Sequence, residues 1–344
     1  MSYRDIILNN KQNNTSVPWW PLYAYHYTNV NNAVSILSSG ILFSRSYAAK
    51  HNLLRTDSAS RQVIDMTRTD TLSFVRFYFR PLTPTQYYNE GYKHPQLRYF
   101  GDTNANMPVP IFFVFNLEKL LLTPGVQFSD TSQAGSGAPT VSGEEAFSKL
   151  NFKKIYSDGP CDKETIKYRH AEILHPNAYA INDSLEAVLC RNAVEQITLL
   201  TLLRERSSKA FFQYKDKIKV CKTKMFENNG LFVTGCQYHN ATIGISFSDT
   251  IAKAKYTADL KEKNGVVHLS PIQLTIILSW MNSRSPNLKT VSMKTDLDYE
   301  VPHKIVLEQL PRVTGARTLR IQVSFDDEIM CCMEQSLNDM ELIK

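Results

Sequence analysis

The sequence predicts an α+β protein built from two units. Three features carry that reading: short aromatic or apolar runs that alternate with period two, longer runs with helical spacing between them, and one polar break late in the chain. At 344 residues the chain is long for one domain of roughly 100–150 residues and suits two. Its 43% hydrophobic and 11% aromatic content can bury a large core, which excludes a disordered or fibrous chain.

Residues 1–21 are polar and Asn-rich and end on Trp19-Trp20 before Pro21, so a loose N-terminal arm pinned by two aromatics is expected. From residue 22, LYAYHYT alternates as a strand and runs into NVNNAVSILSSG, where Val30, Ala33, Val34 and Leu37 share a helical face. Asn29 is placed to cap that helix and Gly40 to end it. SFVRFYFRP reads as a second strand, stopped at Pro81. VPIFFVFNL is a third, whose continuous apolar run suits burial on both faces. The small, polar stretch 130–143 is expected as a long surface loop, of the kind that often carries function. HAEILH and SLEAVLC follow as short strands, and NAVEQITLLTLLRER as a helix. The polar run 204–209 then marks a boundary between a first domain, 22–206, and a mixed α/β accessory domain, 207–344. In that second unit KAFFQYKDKIKV, GLFVTGCQYH, ATIGISFS, VVHLS and TLRIQVSF read as strands and PIQLTIILSWMNS as a helix.

Several function classes fall away. The opening residues lack the basic and apolar blocks of a secretory signal, and the longest apolar runs are shorter than the ~20 residues that cross a bilayer. A soluble, cytoplasmic protein is therefore expected. The 6 cysteines show neither CxxC pairs nor His spacing, so no metal site is expected. There is no Gly-rich phosphate loop, HExxH or GxSxG. The net charge of +6 permits a polyanionic partner without requiring one.

The remaining signal is positional. His26 lies inside the first aromatic strand, Arg61 and Arg68 in a polar helix-like stretch, and Tyr78 in the second strand. Glu172 sits between Ala171 and Ile173 in an apolar strand, where partial burial would make its carboxylate a usable base.

These residues also carry a family resemblance. YHYTNVNNAVSILSSGIL resembles the opening motif of the DarT ADP-ribosyltransferases, YHxTHxxNLxxILxxGxL. FVRFYFRPLTPTQYY is similar to their YVPFYFxPxSPMLY, and YRHAEIL to their (K/R)QAE(F/V)L. The three motifs occur in the right order over about 22–205. The resemblance implies an ADP-ribosyltransferase-like split β-sheet core and an NAD-dependent enzyme that transfers ADP-ribose to a nucleobase, best known for thymidine in single-stranded DNA. It implies a toxin or phage-defence role and a macrodomain antitoxin as partner.

By the same resemblance Glu172 is the catalytic glutamate, and Arg68 or Arg61 the catalytic arginine. His26 and Thr28 fall in the first NAD-contact motif, Tyr78 in the second, and Tyr87 closes that second motif. The segment 154–171 precedes the glutamate where the superfamily recognises its acceptor. Its Lys167, Tyr168, Arg169 and His170 supply the cations that contact phosphates and the rings that stack on unpaired bases. Three positions depart from the family pattern: Asn29 for His, Arg76 for Pro, and Thr85-Gln86 for Met-Leu, of which the last two are expected near the acceptor base. Two rival readings remain: the same chemistry on RNA, and a non-catalytic module that only binds nucleic acid or a partner. The accessory domain is expected to widen a nucleic-acid groove or to bind an antitoxin, a chaperone or a phage trigger.

Overall fold

The computed structural model describes residues 1–51, 71–98, 102, 106–133 and 138–337. Arg61 and Arg68, the two candidate catalytic arginines, lie outside the described residues.

The chain opens with helix α1 (Tyr3–Asn13), capped by Ser2, whose hydroxyl accepts from the Asp5 amide while the Asp5 carboxylate accepts from the Ser2 amide. Tyr3, Ile6 and Ile7 are buried, and Tyr3 packs edge-on against Phe147. The expected loose arm is thus a docked helix, because three apolar residues on one helical face outweigh the surrounding asparagines. Trp19 and Trp20 do pin the following turn, and Trp20 has the Arg80 guanidinium stacked on its ring at 4.5 Å.

Strand β1 (Tyr23–Asn29) leads into helix α2 (Val30–Ser39) as the periodicity predicts. Asn29 caps it, with Oδ1 accepting from the Asn31 amide at 2.9 Å, and Gly40 ends it in the left-handed conformation that favours glycine. β2 (Ile41–Phe43) follows, then β3 (Phe74–Tyr78), the short helix α3 (Pro84–Asn89) and β4 (Pro110–Asn116). β5 (Gln127–Ser129), helix α4 (Lys163–Tyr168), β6 (Glu172–Pro176), β7 (Ala178–Ala180) and β8 (Leu185–Cys190) complete most of the first unit.

Helix α5 (Ala193–Arg206) runs almost directly into α6 (Ser208–Tyr214), with Ser207 ending one and capping the other. β9 (Ile218–Val220) then lies parallel to β8 and closes the first sheet, whose order is β5-β6-β3-β1-β4-β8-β9. KAFFQYKDKIKV is accordingly a helix plus a three-residue strand. The expected boundary at 206/207 falls inside this sheet. Met225 and Phe226 also pack with Tyr25, Phe112 and Val114 on one sheet face, so the first unit reaches about residue 226.

Beyond it come β10 (Val233–His239), β11 (Thr242–Phe247), helix α7 (Thr250–Asn264), β12 (Ile272–Met281), β13 (Lys289–Leu297), β14 (Ile305–Leu307), β15 (Thr318–Phe325) and β16 (Glu328–Ser336). They form sheets ordered β10-β11-β14 and β13-β12-β15-β16. PIQLTIILSWM, expected as a helix, is β12. Ile272, Leu274, Ile276, Leu278 and Trp280 alternate into the core, a period-two signal that its bulk apolarity hides. VVHLS forms no strand.

The seven-stranded sheet is divided. β1 pairs β4 along its whole length, from Tyr23 opposite Asn116 to Asn29 opposite Pro110. β3 pairs β6 from Phe74 opposite Pro176 to Tyr78 opposite Glu172. Between β1 and β3 the register holds at one pair, Tyr25 opposite Tyr78. The sheet therefore splits into two halves that meet at this seam.

Candidate active site at the sheet seam

Strand pairing brings Glu172 to the seam. It lies opposite Tyr78 of β3 on one side and Ser129 of β5 on the other, and paired residues in an antiparallel ladder share a face. Two residues back along β3, on that same face, stands Arg76. Its Nε donates to Glu172 Oε2 at 2.9 Å and its Nη2 to Oε1 at 2.5 Å, a two-pronged ion pair. The Gln133 backbone amide lies close enough to the carboxylate to favour its ionised form. Thus the start of the polar stretch 130–143 borders the site through Gln133.

The carboxylate is 1% exposed. Burial pushes its pKa above the ordinary value, and the Arg76 charge and hydrogen bonds draw it back. Burial and the Glu172 charge push the Tyr78 hydroxyl up to about 12, so it stays protonated at neutral pH. His170, half-buried at the turn before β6, is pushed down to about 4 by burial and by the Arg76 charge. Its imidazole is therefore neutral and offers one donor and one acceptor.

His26 reaches the seam from the β1 side. Its Nδ1 lies 3.0 Å from the Arg76 carbonyl, and a carbonyl can only accept, so Nδ1 carries the proton. Burial lowers its pKa and keeps the ring neutral, which leaves Nε2 as the acceptor nitrogen. The ring packs edge-on against Phe77 and Phe113, so strand alternation sets it on the sheet face opposite Tyr78 and Glu172. Thr28 shares that face and is buried.

The other expected residues divide. Tyr87 packs edge-on against Tyr88 and against Tyr256 of α7, and its carbonyl accepts from Asn229; these contacts turn it toward the C-terminal unit. Gln86, expected near the acceptor, is buried and ties Leu82, Glu90 and Met225 together through its side-chain amide. Arg169 donates to Ser157 Oγ at 3.1 Å and to the Gly159 carbonyl at 2.6 Å, which holds the 157–159 turn. Tyr168 is half-buried under the Lys154 ammonium, 4.9 Å from the ring centre. Lys167 stands exposed in the last turn of α4. Sequence reasoning missed the Arg76 pairing: the position was visible as a departure from the family motif, but its partner is 96 residues away.

A family model described as ssDNA thymidine ADP-ribosyltransferase, DarT, matches residues 25–226, which spans β1, β3, Glu172 and the last strand of the first sheet. The chain belongs to the DarT family. It is by that membership an NAD-dependent ADP-ribosyltransferase, and its divided sheet is the ADP-ribosyltransferase-like core the motifs imply. Solved structures resemble it more distantly. A Thermus sp. 2.9 DarT in complex with ADP-ribosylated ssDNA is 18% identical, with 59% of this chain and 95% of that chain covered and a TM-score of 0.48. The same protein in complex with NAD+ is 17% identical over 59% of this chain and 96% of that one, with a TM-score of 0.46. A Thermosipho africanus DarTG in complex with ADP-ribose is 14% identical over 53% and 47% respectively, with a TM-score of 0.43. A comparison with curated proteins gives no match. Among the described residues, no helix is long and apolar enough to cross a membrane.

Proposed function

We propose that the chain moves ADP-ribose from NAD to thymidine in single-stranded DNA, with Glu172 as the catalytic carboxylate. The observation that carries this reading is the buried Glu172 carboxylate beside Tyr78 at the seam, inside the stretch that matches the DarT family. Breaking the nicotinamide–ribose bond sends the bonding pair out with nicotinamide and leaves an oxocarbenium-like sugar. A fixed carboxylate stabilises that charge without a metal. The imide nitrogen of the base then bonds to the sugar carbon, and its proton passes to Glu172 or to solvent.

Tyr78 is the aromatic that packs on the nicotinamide in this reading. Its hydroxyl stays protonated and can donate. His26 and Thr28 back the NAD side of the seam from the other sheet face: His26 donates Nδ1–H to the Arg76 carbonyl and so holds the β3 backbone that carries Tyr78, with Nε2 left as an acceptor. Lys167, Tyr168 and His170 belong to the acceptor side, where an exposed ammonium suits a phosphate and rings suit an unstacked base. Arg169 serves there by shaping the 157–159 turn. Arg61 and Arg68 keep their candidacy for the catalytic arginine.

A single strand is the better substrate, because extruding a base from a duplex costs a few kcal/mol first. The DarT-like motifs carry the further reading of a toxin held in check by a macrodomain antitoxin. Residues from about 227 onward form the accessory unit that such a partner, or the strand itself, would contact. The test is incubation with NAD and sequence-matched DNA and RNA oligonucleotides, read by mass spectrometry. A gain of one ADP-ribose on thymidine-containing DNA supports the reading. A gain on RNA alone, or on neither, defeats it.

A further inference from the structure

Arg76 raises a question that the reaction scheme does not answer. The carboxylate that must face the reacting sugar already has both oxygens engaged by one guanidinium, and the Gln133 amide nearby also favours its ionised form. Arg76 is also fixed from behind. Its backbone carbonyl accepts from His26 Nδ1, which crosses the seam where β1 and β3 have little ladder between them. The Arg76 side chain keeps 27% exposure while Glu172 has 1%, so the cation stands between the buried carboxylate and the open side of the seam.

We infer that Arg76 is a positioning residue for Glu172: its two prongs fix the plane of the carboxylate beside Tyr78 and supply its countercharge. This rests on the reading of Glu172 as the catalytic carboxylate. Two physical reasons favour it. An isolated carboxylate this deeply buried would give up its charge, since burial disfavours the ionised form. A carboxylate on one monodentate contact also rotates, whereas a guanidinium fork matches both oxygens and sets one plane. The family motif has Pro at this position, which offers neither charge nor donor, so in this chain the fork is a local addition to the shared machinery.

The groups facing Glu172 among the described residues are few. Arg76 and Tyr78 come from β3 and the Gln133 amide from the loop after β5, while His170, at the turn before β6, lies near Arg76. Tyr78 and His170 are both neutral around pH 7. Arg76 is thus the counterion whose loss leaves the burial cost unopposed, and the Glu172 carboxyl must then rise further.

The experiment compares the full chain with Arg76→Gln and Arg76→Lys, with thermal melting to confirm that each is folded. Initial rates of transfer to a thymidine-containing single-stranded oligonucleotide are taken from pH 5 to 9, with kcat and the KM for NAD separated. For Arg76→Gln the expected result is an acid limb moved to higher pH, with kcat down by more than about tenfold at pH 6 and by less at pH 9. The KM for NAD should stay within about threefold. Arg76→Lys keeps a charge but loses the fork, so it should hold the wild-type acid limb while losing kcat at every pH. A wild-type profile in Arg76→Gln overturns the inference. So does a raised KM for NAD with an unmoved limb, because that marks Arg76 as a substrate contact instead. If the wild-type protein modifies no oligonucleotide, the functional reading fails, and the inference is decided separately by carboxyl NMR. The Glu172 resonance, identified by its loss in Glu172→Gln, must titrate at higher pH in Arg76→Gln than in wild type; an unchanged titration overturns the clamp.

Discussion

Arg76, on the seven-stranded sheet, and Arg191, just past its strand β8, each grip a glutamate with two guanidinium nitrogens, yet their surroundings differ in kind. Arg191, just past β8, bonds Glu195 through Nε at 3.0 Å and through Nη2, and its Nη1 lies 3.6 Å from Glu90. Its guanidinium is also stacked on Phe232, 3.5 Å from the ring centre, and its side chain is 2% exposed. Glu90 in turn accepts from the amides of Glu227 and Asn228, so the group stitches the first unit to the start of the second. Arg76 keeps 27% exposure, and the aromatic beside its glutamate is Tyr78, at a seam where the ladder nearly lapses. The difference teaches that a buried Arg–Glu pair does not by itself mark a site. One whose cation retains access to solvent, next to a break in the sheet, is placed where a substrate could reach it; one closed on all sides is arranged to hold two regions together.

Four measurements break or sharpen that contrast. Glu172→Gln should cut transfer by about 100- to 10,000-fold with the fold retained, read by product mass against time; near-normal transfer removes Glu172 from the site. Glu195→Gln should leave transfer chemistry intact per folded molecule but cost about 3–5 kcal/mol of stability by chemical denaturation, because it removes the nearer of the two carboxylates that balance the buried Arg191 charge. Glu172→Gln should cost clearly less, since Arg76 can hydrate; equal losses would erase the distinction between the two pairs. Asn29→Ala, which removes the cap of α2 beside the seam, should cost about 1 kcal/mol with little change in the pH profile.

The smallest effect is in pH dependence of stability. Burial holds both Glu172 and Glu195 above the ordinary carboxyl value, so the folded chain binds these protons more tightly than the unfolded chain. Their contribution is present below the ordinary glutamate pKa and is lost as pH rises through the folded values. Denaturation midpoints of Glu172→Gln and Glu195→Gln across pH 4 to 7 should each lack part of that slope; identical slopes in wild type and both variants would contradict it.

The elements that sequence reading found share one property: their signal is local. β1 and α2 follow from alternation, from Asn29 as cap and from Gly40, all within about 20 residues. Glu172 stood out because a lone carboxylate in an apolar strand needs a reason. The failures are non-local or masked by bulk. In PIQLTIILSWM the polar Gln273, Thr275 and Ser279 alternate with Ile272 through Trp280, but the central Ile276-Ile277-Leu278 run blurs that alternation and invites a helical reading. The KIKV strand has no pattern of its own and exists because β8 offers it an edge. Tyr87 and Gln86 lie in a family motif, but Tyr256 and Met225 decide where they pack. The Arg76 fork depends on which residue β6 sets opposite Tyr78, a fact of register that no stretch of sequence states.

The parallel pairing of β9 with β8 has a practical consequence for anyone isolating the enzyme. A recombinant fragment stopped at Arg206 would leave a bare row of amides and carbonyls along β8 and strip Met225 and Phe226 from over Tyr25 and Phe112. Such a fragment should precipitate or self-associate through that raw edge, and its inactivity would say nothing about Glu172.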